Sequence, residues 1–193
     1  DFAYQIKRLV RPRIESPGLA IFNQIIGLED LAARLQAEVD AGRLDPDGWI
    51  DMRQFPLEGV ETPDPHTLRI RIRGKYPQFL NWLATTFVVP VPWEAERFYG
   101  QPGMARRELT LDMWPVGTGP FMMERNRPLR EMRLTRNPEY RGDLYPCEGE
   151  PGDAEAGLLA DCGKPLPLVD GFRFSYEKES TPFWNKFLQG YYD

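Results

Sequence analysis

Gly117-Thr118-Gly119-Pro120 is the stretch that most limits what this chain can fold into. Glycine reaches backbone angles closed to other residues. Proline fixes φ and removes an amide donor. Pro115 precedes the stretch and Phe121-Met122-Met123 begins an apolar run after it, so it reads as a turn-rich entry into a strand. Arg127-Pro128-Leu129-Arg130 predicts a hairpin turn. Met132-Arg133-Leu134-Thr135-Arg136 predicts the return strand, and Asn137-Pro138-Glu139-Tyr140 its stop.

A glycine-rich turn raises the question of phosphate binding. This one lacks a flanking lysine, and Pro120 removes an amide that a phosphate nest needs. No dinucleotide fingerprint, phosphate loop or nucleophile elbow occurs. Ser16, Ser175 and Ser180 have no recognisable base, and linear spacing alone identifies no catalytic acid pair. His66, the one histidine, lacks the partners that catalysis or metal binding requires and reads as a turn or strand-edge residue. Neither an enzyme nor a cofactor nor a metal site is expected. Glu148, Glu150, Asp153 and Glu155 do not follow calcium-loop spacing. A formal net charge of −5 offers no electrostatic case for nucleic acid. Arg69, Arg71, Arg73 and Lys75 read as the wet face of a strand. No apolar run approaches the roughly 18–20 residues that span a bilayer.

The remaining elements follow from periodicity. Ala3 to Val10 has helical spacing and ends at Arg11-Pro12. Gly18 to Ile26 is apolar around Asn23 and Gln24, either a short helix or a wall facing a cleft. Leu28 to Val39 is an amphipathic helix with Glu29 and Asp30 suited to its first turn. Phe55 to Val60 reaches the sheet, Glu61 to Pro65 reads as a turn, and His66 to Arg73 alternates as a half-buried strand. Pro77 to Thr85 predicts a short helix packing through Leu80, Leu83 and Ala84, with Phe79 and Trp82 close to that face, and Trp93 to Tyr99 another. Tyr140 to Pro167 is the least globular region, with Ala154 to Ala160 able to form a helical turn or two. Cys147 and Cys162 lie 15 positions apart within it. They are read as a disulfide clipping the loop in an exported protein, or else as two unpaired thiols. Leu168 to Tyr176 predicts a strand with Phe172, Phe174 and Tyr176 on one face, and Thr181 to Leu188 a helix capped by Thr181-Pro182.

Taken together, these segments resemble the extracellular solute-binding proteins, family 5, of peptide and nickel ABC importers. The resemblance rests on Gly117-Thr118-Gly119-Pro120-Phe121 followed by Asn137-Pro138-Glu139-Tyr140. It is supported by Lys7-Arg8-Leu9, Ser16-Pro17, Asp64-Pro65-His66-Thr67-Leu68, Pro77-Gln78-Phe79-Leu80, and Phe187-Leu188-Gln189-Gly190 with Asp193. It implies a mixed α/β fold, part of a periplasmic-binding-protein type II architecture. Residues 1–113 would be most of an accessory domain and 114–193 part of the first main lobe. The loop at 143–167 is the main departure from the family pattern. The chain would be a piece of a longer polypeptide, so a missing signal peptide says nothing about export.

Residues just after Ser16-Pro17 approach ligand in that family, which implies roles for Gly18, Phe22 and Asn23. Trp114, beside the glycine turn, is a further ligand candidate, with core or inter-lobe packing as its other reading. The implied partners are an oligopeptide or other small solute and a membrane permease. The receptor would be periplasmic, or extracellular and lipid-anchored, and monomeric at full length. A ligand-sensing or adaptor module on the same fold, without transport, is the competing function.

Overall fold

The computed structural model describes residues 1–192; the expectation for Asp193 lies outside them. The chain forms two compact units, Asp1–Asp112 and Met113–Asp193.

The first unit holds the buried apolar core. Helix α1 (Phe2–Arg8) carries Tyr4 and Ile6 inward, and the single turn α2 (Leu19–Phe22) carries Phe22. Helix α3 (Leu28–Asp40) buries Leu28, Leu31 and Leu35, the stripe its periodicity predicts. Strands β1 (Val60–Asp64) and β2 (Thr67–Ile70) pair antiparallel. The expected turn at Glu61 to Pro65 is therefore mostly strand. Pro63 is tolerated because the register shifts between Glu61 and Asp64, where the ladder needs no regular amide donor. Arg69 and Arg71 both pair with Glu61, and Arg73 with Glu29, which agrees with a solvated face rather than an anion stripe.

Helix α4 is one turn, Phe79–Trp82. Leu83 packs against the core as expected, and the expected face is corrected at Leu80. Leu80 is 73% exposed, while Phe79 is buried and meets Phe22 edge-on, with ring centroids 6.1 Å apart. A single helical turn has no i, i+3, i+4 stripe long enough to orient it, so the largest ring decides which side faces inward. Helix α5 (Trp93–Tyr99) is the predicted one. It brings Glu96 into the interior, where the carboxylate meets Arg8 at 2.6 Å, Arg11 at 2.7 Å and the Tyr4 hydroxyl.

The second unit is built on a three-stranded antiparallel sheet in the order β3 (Phe121–Arg127), β4 (Glu131–Arg136), β5 (Gly171–Ser175). The hairpin and its return strand are as predicted, and the turn places Leu129 at φ 57°. Phe172 and Phe174 of β5 lie opposite Leu134 and Met132, on one face. Helix α6 (Ser180–Leu188) follows. Phe172, Phe174, Trp184 and Leu188 all remain at least 44% exposed, so this unit presents uncovered apolar surface.

The insertion has no helix at Ala154 to Ala160, only successive turns. A bridge between Leu144 and Pro165 closes its neck, with Tyr145 N–H donating to the Lys164 carbonyl at 2.9 Å. Cys147 and Cys162 are joined as a disulfide inside that neck. Closing a loop of this length removes up to roughly 3 kcal/mol of unfolded-chain entropy. Because the insertion is mostly exposed, replacing both cysteines by serine is expected to lower stability by about 2 kcal/mol. It should also speed hydrogen exchange in the insertion while leaving the β3–β4 ladder protected. Differential exchange measured by mass spectrometry checks this, and unchanged exchange across the insertion would refute it.

Candidate functional site

The glycine turn and the hairpin stop meet in space. Asn137 joins them: its Nδ2 donates to the Gly119 carbonyl at 2.9 Å, and its main-chain N–H donates to the Pro120 carbonyl at 2.9 Å. Its Oδ1 accepts the Glu139 amide at 3.0 Å. An asparagine supplies donor and acceptor at once, which an aspartate or leucine of similar size cannot. The two motifs that carried the family resemblance are thus one clamp closing the open end of the β3–β4 hairpin. Asn137→Ala is expected to cost about 1–2 kcal/mol and Asn137→Asp, which keeps only the acceptor, about half of that. Urea unfolding followed by circular dichroism reads both, and equal losses would argue against the clamp.

A cavity of about 460 Å³ lies against this clamp, lined by Gly117, Thr118, Asn137, Glu139, Tyr140 and Asp143, with Arg141 beside them. The Tyr140 hydroxyl donates to Asp143 Oδ2 at 2.6 Å. That hydrogen bond, with lesser help from burial and the neighbouring charge, raises the phenol above its ordinary pKa. The lining offers carboxylates, the Thr118 and Tyr140 hydroxyls, the Arg141 guanidinium and exposed main chain, and no nucleophile beside a base. It can hold polar groups of either kind, donors on its carboxylates and acceptors on Arg141, which is binding chemistry rather than bond-breaking chemistry. Trp114 is half-buried just ahead of the turn. Tyr140 and Asp143 were not predicted as site residues; their i, i+3 spacing after Asn137-Pro138 was the available signal.

In the first unit, the candidates after Ser16-Pro17 separate. Gly18 is buried, and a Cβ there would lie 3.1 Å from the Phe87 side chain. Phe22 has no exposed surface. It packs inside the core, edge-on to Phe79. Asn23 does line a cavity, of about 240 Å³, with Gln24, Arg73, Lys75 and Tyr76 among its neighbours. Arg73 braces that wall, donating from Nη2 to the Asn23 carbonyl and to Glu29, each at 2.7 Å. Sequence reading had placed Arg73 only on a strand face.

Residues 1–193 match the family described as bacterial extracellular solute-binding proteins, family 5 Middle. The chain belongs to this family. A putative ABC transporter peptide-binding protein of Brucella ovis is 29% identical over 94 residues, which is 47% of this chain and 16% of that protein. The crystal structure of Haemophilus influenzae OppA in complex with RPPGFSPFR superposes with a TM-score of 0.63 at 17% identity, over 100% of this chain and 29% of that one. Burkholderia pseudomallei OppA gives 0.64 at 15% identity, with the same coverage. These likenesses show the fold: mixed α/β, matching part of the OppA-type structures. The chain spans only a fraction of the length of the relatives it matches. Family and neighbours are binding proteins rather than enzymes. Among the described residues, no helix is long and apolar enough to cross a membrane.

Proposed function

We propose that this chain is part of a solute receptor for an ABC importer, taking an oligopeptide and delivering it to a membrane permease. The match of all 193 residues to the solute-binding family carries this reading. Residues 1–113 serve as the accessory domain and 114–193 as part of the first main lobe, with 143–167 inserted. The uncovered aromatic surface of β5 and α6 supports a larger assembly, because isolated domains rarely leave so much apolar area in water. Binding proceeds by closure of two lobes around ligand, without reaction chemistry. Gly18 sets the backbone path, Asn23 and Trp114 contribute to the cleft, and the receptor works outside the cytoplasmic membrane, in the periplasm or as an anchored lipoprotein. Native mass spectrometry of the full-length gene product should reveal a co-purified peptide. Failure to bind any member of peptide, metal-chelate and sugar panels would sink the proposal.

A further inference from the structure

The sheet of the second unit has a second face, opposite Phe172 and Phe174. The strand register sets Arg125 directly across from Arg133, and Arg133 directly across from Arg173. Three guanidinium groups therefore share one face on three successive strands, about 4.8 Å from strand to strand. Arg127 joins them, across from Glu131. Like charges directly opposite one another are unfavourable in a sheet. One carboxylate answers them. Glu131 lies 2.8 Å from Arg173 Nε, 3.2 Å from Arg133 Nε and 3.8 Å from Arg125 Nη1. Its side chain is 14% exposed, while those of Arg125, Arg133 and Arg173 are 36–65% exposed. The carboxylate sits beneath, Arg125 and Arg173 stand outward, and Arg133 lies lower with its Nε buried. The face thus presents net positive charge on a chain whose formal charge is −5.

We propose that this arginine face docks an acidic segment of a protein partner. Three planar forks spread over three strands match carboxylates carried one after another along a chain better than a single compact anion, and each fork can pair bidentately. The Ser175 hydroxyl, across from Glu131 on the same face, supplies a neutral donor at its edge. Contrast with the acidic remainder of the molecule selects this face as the place where an acidic partner settles. The inference stands on register and ion-pair geometry and does not depend on the receptor reading above.

Fluorescein-labelled octaglutamate is the probe, followed by anisotropy at low ionic strength and again in high salt. The protein is expected to bind it, with affinity falling as salt rises. The double variant Arg125→Gln/Arg173→Gln should weaken binding about tenfold or more. Arg106→Gln/Arg107→Gln removes the same charge from the first unit and should leave binding unchanged. Glu131→Gln, which strips the row of its counter-charge, should tighten it, a change that a merely structural role would not produce. Circular dichroism establishes that each variant is folded. The proposal is overturned if octaglutamate does not bind, if both double variants behave alike, or if inorganic phosphate or phosphatidylglycerol vesicles compete as well as unlabelled octaglutamate.

Discussion

Replacing Glu96 by alanine should cost the first unit about 3–4 kcal/mol, the largest loss expected from any single side chain in the molecule. Glu96 is only 5% exposed, and its carboxylate takes three donors: Arg8 Nε, Arg11 Nη1 and the Tyr4 hydroxyl. Arg11 also donates from Nη2 to the Gly48 carbonyl at 2.6 Å. Removing the carboxylate leaves two largely buried guanidiniums and a buried phenol without their common acceptor. Unpaired buried charge costs more than the intact network contributes. Glu96→Gln keeps shape and one acceptor and should lose less. Denaturant unfolding, read through Trp49, Trp82 and Trp93 fluorescence, measures both. A loss under about 1 kcal/mol for the alanine variant would mean the network is solvated and weak.

The same site has a pH signature. Burial first, and then the hydrogen bond and charge of Glu96, push the Tyr4 phenol well above its ordinary value of 10.0. A raised folded-state value means the folded form holds the proton more tightly. The associated stability is fully present below pH 10 and is lost as pH climbs from there through the folded-state value. Absorbance titration of the eight tyrosines should show Tyr4 and Tyr140 ionising late, and Tyr4→Phe should remove the one that lags until unfolding while leaving the other. A lag reaching the unfolding transition that survives the substitution would assign it to another tyrosine.

Gly59→Ala is the second large effect, at about 3 kcal/mol. A Cβ at Gly59 would lie 2.5 Å from the Ile26 carbonyl oxygen, 2.8 Å from the Ile26 nitrogen and 3.0 Å from the Arg71 carbonyl oxygen. All three are main-chain atoms, so no side chain can swing away. The Gly59 N–H donates to Ile26 at 2.9 Å, Arg71 N–H donates back to Gly59 at 2.8 Å, and Ile26 N–H donates to Arg71 at 3.1 Å. Making room for a methyl group breaks this ring of hydrogen bonds and moves the Ile25–Ile72 bridge beside it. Thermal unfolding compares Gly59→Ala with Gly42→Ala, where the added carbon meets nothing within 4 Å but φ is 70°. Equal losses at the two sites would show that backbone angle, rather than space, sets the cost.

Neither effect was legible in the sequence. Glu96 occupies the first turn of a short helix, beside Glu94, and nothing in its local sequence marks it as interior. Its three partners lie 85 to 92 positions away in the chain. Gly59 lies in the Phe55 to Val60 approach to the sheet, and nothing local says that two other backbones pass against it. The misplaced turn at Glu61 to Pro65 has a related cause. Proline signals punctuation locally, yet a shifted register in a two-stranded ribbon accommodates it. The burial of Phe22 has a related cause: its apolar neighbours suit a cleft wall and a core equally, and the position of Phe79 sets how it packs.

What the sequence determined by itself was everything governed by neighbours within a turn or two. That includes the stripe of α3, the alternation around β2, the β3–β4 hairpin with its Arg127-Pro128-Leu129-Arg130 turn, and the aromatic face of β5. These follow from helix and strand periods and from the restricted angles of glycine and proline, which act over a few bonds. The tertiary structure alone decided that Asn137 ties the glycine turn to the hairpin stop, that Cys147 meets Cys162, that Glu96 gathers two arginines and a tyrosine, and that four arginines share a face with one glutamate. Each depends on where separate segments come to lie after the chain has folded back. That path is selected by the sum of many weak burial and pairing terms, which no single stretch of sequence contains.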